Sequence, residues 1–218
     1  MRQNLILIAI LIVAALTCGC ANPAADKPKA TVANAAPETN SPQPVGTEVL
    51  VISPENSTIE FVAAKVTRSH HGSFKQFAGK IELAPNSLLE SRVTIEIDAA
   101  SVVTDEPDLT EHLKTADFFN VAKNPKANFI STKIESVNTG GTAQKQTFNV
   151  TGNLELHGTK KSISFPANIQ LTPDSMAMDA DFAINRKDFG LVYPGKADDL
   201  IRDGVVIKLA FKVPRAKH

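Results

Sequence analysis

The sequence predicts an all-β domain whose strands close into a barrel, with one short helix inserted. Apolar and polar residues alternate with a period of two through most of the stretch from Thr47 to His218. About eight such runs follow one another, the later ones joined by short turns such as Asn138-Thr139-Gly140-Gly141 and Thr172-Pro173-Asp174. Beyond Ala21 there is no cysteine, so a disulfide framework or a thiolate-held metal cannot stand in for a hydrophobic core. Strict alternation marks strands with one dry face and one wet face. Antiparallel strands of this number either stack as a sandwich or close into a barrel. Closure removes exposed edges, which favours the barrel.

The N-terminus reads as an address. Met1-Arg2-Gln3-Asn4 is a short n-region, Leu5 to Leu16 is an unbroken apolar run, and Thr17-Cys18-Gly19-Cys20 follows. A run this short suits a signal-peptide core better than a span of ~30 Å of hydrocarbon. Residues 1–20 are therefore expected to be a signal peptide. Its boundary resembles a bacterial lipobox, with Gly19 before Cys20 as the acylated residue. Thr17 stands where Leu is expected, and Cys18 is the alternative. Either way the domain is expected to be exported. It would sit on the periplasmic face of a bacterial membrane as a lipoprotein, or be periplasmic or secreted if not acylated. Residues 21–46 are rich in Ala and Pro and nearly free of large apolar side chains, so they are expected to be a disordered tether. Such a segment spans roughly 30 Å as a coil and about 80 Å as polyproline II. It serves as a stand-off or as a linker with no length requirement.

Residues 47–218 form the expected domain. Ile59, Phe61 and Ala63 alternate with polar neighbours, as do Val93, Ile95 and Ile97. Longer runs are Phe148 to Leu156, Ile163 to Leu171, Met176 to Ile184 and Val205 to Val213, with Lys80–Leu83 and Phe129–Val137 as weaker strands. Ala84 to Ser91 reads as a short helical turn. Pro107 to Phe119 reads as a helix, with Pro107 at its start and Leu109, Leu113 and Ala116 on one face. It caps a barrel mouth or crosses the surface. A barrel of about eight strands holds either packed side chains or one small elongated ligand. Small residues (Ala63, Gly152, Ala167, Ala180) lie among large ones and there is no Trp, so a hollow apolar interior is one reading. Filling by neighbouring Phe rings is the other. In a hollow interior, an alkyl ligand gains about 0.8 kcal/mol per buried methylene.

The remaining classes are excluded by what is missing. Lys+Arg and Asp+Glu are both 23, so there is no basic excess for nucleic acid. There is no Gly-x-Ser-x-Gly elbow, phosphate loop, dinucleotide fingerprint or His-Glu-x-x-His helix. His70-His71 would point to opposite faces of a regular strand, so they do not chelate one metal there; with Gly72 following, a bend is expected. His112 falls on the helix, and His157 is expected to be exposed. No acid/base pair assembles, so no catalysis, no metal and no required cofactor are expected.

Four motifs, in order, carry a family resemblance. EHLKTADFFNVAKNPKANFIST spans Glu111 to Thr132, GNLELHGTKKSISFPANI spans Gly152 to Ile169, INRKDFGL spans Ile184 to Leu191, and KVTRSHHGSFKQFAGKIEL spans Lys65 to Leu83. Together they resemble the YceI-like family. The resemblance implies an eight-stranded, lipocalin-like antiparallel barrel in the bacterial envelope. It also implies a carrier or sequestering role for a polyisoprenoid or quinone-like lipid rather than catalysis. By motif position it nominates His71, Phe74, Phe77, His112, Phe118, Phe119, Phe129, Arg186 and Phe189 as cavity or mouth residues. Arg186 would meet a head group or a carboxylate such as Asp188. Many members begin the domain with Trp and a His-Ser pair, where this chain has Asn56-Ser57. The expected partners are an apolar lipid and, through the N-terminal anchor, a membrane. Association into a homodimer stays open. The alternative is an envelope stress or adhesion-type interaction module whose barrel is a packed scaffold.

Overall fold

The computed structural model describes residues 22–37, 44–85, 87–137 and 146–215. The signal segment with Cys18 and Cys20, and the Asn138–Gly141 turn, lie outside these residues. The strands are β1 (Thr31–Asn34), β2 (Glu48–Ile52), β3 (Ser57–Ala64), β4 (Ser69–Phe74), β5 (Phe77–Leu83), β6 (Arg92–Asp98) and β7 (Val102–Thr104). After helix α1 (Pro107–Lys114) come β8 (Lys126–Val137), β9 (Gln146–Leu156), β10 (Thr159–Leu171), β11 (Ser175–Asn185), β12 (Gly195–Lys196), β13 (Asp199–Leu200) and β14 (Gly204–Pro214).

One curled, antiparallel, twelve-stranded sheet contains every strand except the small β12–β13 hairpin. Its order is β2-β5-β6-β8-β9-β10-β11-β14-β3-β4-β7, with β1 added on β10. The count exceeds the expected eight because three runs are broken by corners and β1 is added to the sheet. Residues 53–56 separate β2 from β3, residues 75–76 separate β4 from β5, and a 3-10 turn at Ala99–Ser101 separates β6 from β7. Side chains fix these corners. The Asn56 amide accepts from the Ser53 N–H at 3.1 Å and donates to the Val51 carbonyl at 2.9 Å. The Asp98 carboxylate accepts from the Ala100 N–H at 2.9 Å. The corners let the strands bend, and bending curls the sheet around its apolar face.

That inner face divides into two zones. At one end Leu50, Ile52, Ile81 and Val213 are no more than 2 % exposed. Towards the other end Phe129, Leu154, Leu156, Val205, Ile207 and Leu209 share the inner face yet are only partly buried. The first zone is a packed floor; the second surrounds open space.

α1 begins with Pro107, whose fixed φ suits a first helical turn and whose missing N–H costs nothing there. Leu113 is buried and Leu109 packs beside it. The helix ends at Lys114 rather than at Phe119, because the chain turns back on itself. Phe119 N–H reaches the Leu113 carbonyl at 3.0 Å and Asn120 adopts a left-handed φ of 49°. The reversal aims Phe118 and Phe119 at the interior. Between Ala84 and Ser91 the helical turn is a single 3-10 turn at Leu88–Glu90, capped by the Ser87 hydroxyl.

Two further expectations are corrected. His70-His71 lies within β4, not in a bend. The tether expected over residues 21–46 is ordered through its described part from Asn22 to Pro37: β1 pairs antiparallel with β10, from Thr31↔Ser164 to Asn34↔Lys161. Composition alone argues against this segment ordering itself, but an existing sheet edge supplies the backbone partners it lacks.

Candidate functional site

The open space is a lumen lined by the inner faces of β3, β4, β6, β8, β9, β10, β11 and β14. The space outside atoms totals about 1290 Å³ with the mouth included. Its accessible lining is wholly apolar. A space of this kind stays dry and favours an apolar guest.

Aromatic rings form two runs along it. Phe129, Phe165 and Phe182 follow one another, with Phe165 and Phe182 stacked at 4.1 Å. Phe61, Phe74 and Phe119 make a second run at 5.9 and 5.7 Å. Glycines seat two of these rings. A Cβ on Gly72 would lie 2.1 Å from the Phe61 ring, and one on Gly152 would lie 2.4 Å from the Phe129 ring. Gly152 thus makes room for a neighbour's ring rather than for a guest, whereas Ala63 does line the lumen.

A partial lid borders the lumen at the end away from the packed floor. It consists of α1, the turn carrying Phe118 and Phe119, and the loop from Leu191 to Ile201 that contains β12 and β13. The His112 ring meets Phe118 and Tyr193 edge to face and those two rings are tilted at 58° to each other, all with centroids 5.0 to 5.3 Å apart. The His112 ring also meets Asp117 at 2.9 Å. Leu191 and Ile201 complete the lumen wall from the loop side.

Arg186 holds this loop. Its side chain is 5 % exposed, and it donates to the carbonyls of Leu191, Arg202 and Ile201, with Asp203 at 3.5 Å. Burial pushes the guanidinium below its ordinary value while Asp203 pulls the other way; it remains a cation. Its partners are carbonyls and Asp203, not Asp188. Asp199 fastens the same loop from outside. Burial pushes its carboxyl up, but hydrogen bonds from Thr67 and the charge of Lys65 outweigh this and hold it low. Asp105 joins β4 to the start of α1. Burial again pushes up, yet the His70 ring at 3.0 Å, the His71 N–H and both histidine charges hold the carboxyl low.

Of the nine nominated residues, Phe74, Phe118, Phe119, Phe129 and Arg186 line the lumen, and His112 sits on the lid. Phe77 and Phe189 are packed in the core and do not line it. His71 is exposed on the outer face; its neighbour His70 is the buried, inward one. The alternation His70, Gly72, Phe74 already carried that signal, since Phe61 pairs with Gly72 across the sheet. His157 is half-buried and adopts φ of 52°, with its ring near the Phe189 carbonyl. The lid residues Leu191, Tyr193 and Ile201 had no periodic signal. Tyr193 alone stood out, as the one tyrosine of the chain. Among the described residues no group of three or more His, Cys, Asp or Glu side chains is placed to hold a metal ion.

Similar proteins agree with this architecture. The crystal structure of Burkholderia cenocepacia BcnA superposes with a TM-score of 0.62 at 24 % identity, covering 72 % of this chain and 95 % of that one. A polyisoprenoid binding domain from Saccharophagus degradans, implicated in plant cell wall breakdown, superposes with a TM-score of 0.61 at 17 % identity, covering 78 % and 99 %. A UPF0312 protein of Pseudomonas putida (strain W619) is 31 % identical over 131 residues, which are 57 % of this chain and 65 % of that protein. The chain thus spans just under two thirds of the length of that curated relative. The YceI-like domain model matches residues 50–213, from within β2 into the end of β14, and the chain belongs to that family.

Proposed function

We propose that this protein binds an apolar isoprenoid-type lipid, a polyprenyl or quinone-like molecule, inside the lumen, and carries or sequesters it in the bacterial envelope. The observation that supports this most directly is the division of the inner face. Residues of one face are fully packed at the floor and partly open around the lumen, and among the described residues the atoms exposed to the open part are apolar, Arg186 turning its guanidinium to the loop carbonyls. Family membership and the name of the S. degradans domain point the same way. In this reading each bent pair, β2 with β3, β4 with β5 and β6 with β7, is one stave. The sheet then acts as an eight-staved, lipocalin-like barrel around the tail. Cys20 is the proposed acylation site, which would keep the domain on the periplasmic face of a membrane.

The binding reading is tested by filling the space. Ile207→Phe places bulk where the wall faces the lumen, whereas Val213→Phe places it in the packed floor. Ile207→Phe should keep or raise the unfolding temperature and weaken displacement of a lumen-bound fluorescent dye by prenyl alcohols about tenfold or more. Val213→Phe should cost about 1–3 kcal/mol of stability through overpacking. Equal overpacking penalties at both sites would contradict a hollow interior.

A further inference from the structure

The wall of the lumen is not continuous between β10 and β11. These strands pair only from Asn168↔Asp179 to Leu171↔Met176. Beyond that point they part, although β10 stays paired with β9 from Thr159 to Ile169 and β11 with β14 along its full length. The N-terminal segment fills the wedge. β1 takes the vacated edge of β10. Just before it, Ala30 N–H donates to the Ala183 carbonyl and Ala183 N–H donates to the Pro28 carbonyl, both at 2.8 Å, which ties the segment to β11. Ile163 and Phe165 on one side, and Phe182 and Ile184 on the other, are lumen-lining residues.

We propose that residues 28–36 are a detachable stave covering a side port, through which a prenyl chain slides into the lumen. The proposal rests on the carrier reading and adds the route. Taking out one strand leaves the flanking strands about 10 Å apart at the wide end, enough for a branched alkyl chain. Apart from its backbone hydrogen bonds to β10 and β11, the stave is held by few side chains. Only Ala30 and Val32 pack against the core from it, both partly buried. Upstream, Lys27 pairs with Asp181 at the surface and Ala24 seats on Val62, Ala183 and Val206 outside the sheet. Downstream, the Asn153 amide accepts from the Ala36 N–H at 2.9 Å and donates to its carbonyl at 2.8 Å. Asn153 is on the outer side of β9 and is covered there by Ala36. When the segment lifts, water reaches both groups and no polar atom is stranded. The stacked Phe165–Phe182 pair stands at the apex of the wedge, so the opening leads onto an aromatic wall.

The test uses the full chain and two readouts. In ligand-free protein, the amides of Ala30 and Ala183 should exchange hydrogen about a hundredfold faster than those of the β9–β10 ladder, by local opening. Separately, stopped-flow uptake and release of dansyl-farnesol is compared in wild type, Val32→Asp and Lys27→Glu. Weakening the stave should raise both rates together by about tenfold, with the dissociation constant little changed, since a gate alters kinetics and not the bound state. Exchange of Ala30 and Ala183 in step with the ladder would overturn the detachable stave. Rates that ignore both substitutions, or a change in release alone, would overturn the port while leaving the carrier reading intact. Wild-type protein that takes up no probe would remove the carrier reading and the port together.

Discussion

Arg186 shows how a residue that resembles a ligand contact acts through structure. It borders an apolar lumen, yet its donors are spent on three backbone carbonyls and Asp203. A guanidinium matches this fan of acceptors because its donors are planar and fixed. Arg186→Met should therefore leave buried carbonyls without donors and cost about 3 kcal/mol, read from urea unfolding, with the Leu191–Ile201 loop exposed first to proteolysis. Asp105 gives a pH signature. Its carboxyl is held below the ordinary value in the folded chain, so its contribution is complete above the unfolded value near ~3.9 and fades as pH falls through the lower folded value. Wild-type stability should decline on acidification below about pH 4, and Asp105→Asn should flatten that decline in urea midpoints measured across the pH range. The sequence pointed to Arg186 as a possible head-group contact but could not show its acceptors, because backbone carbonyls five and fifteen residues away leave no trace in residue type.

At the level of elements, alternation placed most strands and missed where they bend. β10, β11 and β14 each run at least eleven residues on one inside-outside pattern, and their inner residues were readable directly. β8 was harder to read for a physical reason. Its register slips between Ser131 and Lys133, so inward residues change parity from Ala127 and Phe129 to Ile134. β1 was illegible because its order comes from an edge on β10 rather than from its own Ala- and Pro-rich sequence. The glycine–ring pairs give an element-scale prediction. Gly72→Val should displace Phe61, separate β3 from β4 near the mouth and cost about 1–3 kcal/mol. Adding Phe61→Ala should recover part of that loss, a coupling that thermal unfolding of the two single variants and the double variant will measure. Additive losses would mean that the ring and the glycine do not share space.

For the whole molecule, the fold arranges a floor, a lumen and a lid along one axis. The floor supplies packed hydrophobic burial, which frees the upper wall from having to fill itself. Such a gap forgoes packing that neighbouring rings could have provided, and a guest chain would restore it at about 0.8 kcal/mol per methylene. Hollow and filled interiors have the same period and composition, so only three-dimensional packing separates them. The central claim is that the native occupant of this lumen is an isoprenoid chain. Native mass spectrometry of the full chain, purified from its own host without organic solvent, tests it most directly. The expected result is one added mass per chain that solvent extraction removes and that fragments in five-carbon steps. A spectrum showing only the polypeptide and any covalent acyl groups, from protein that also fails to take up added prenyl alcohols, would contradict the claim.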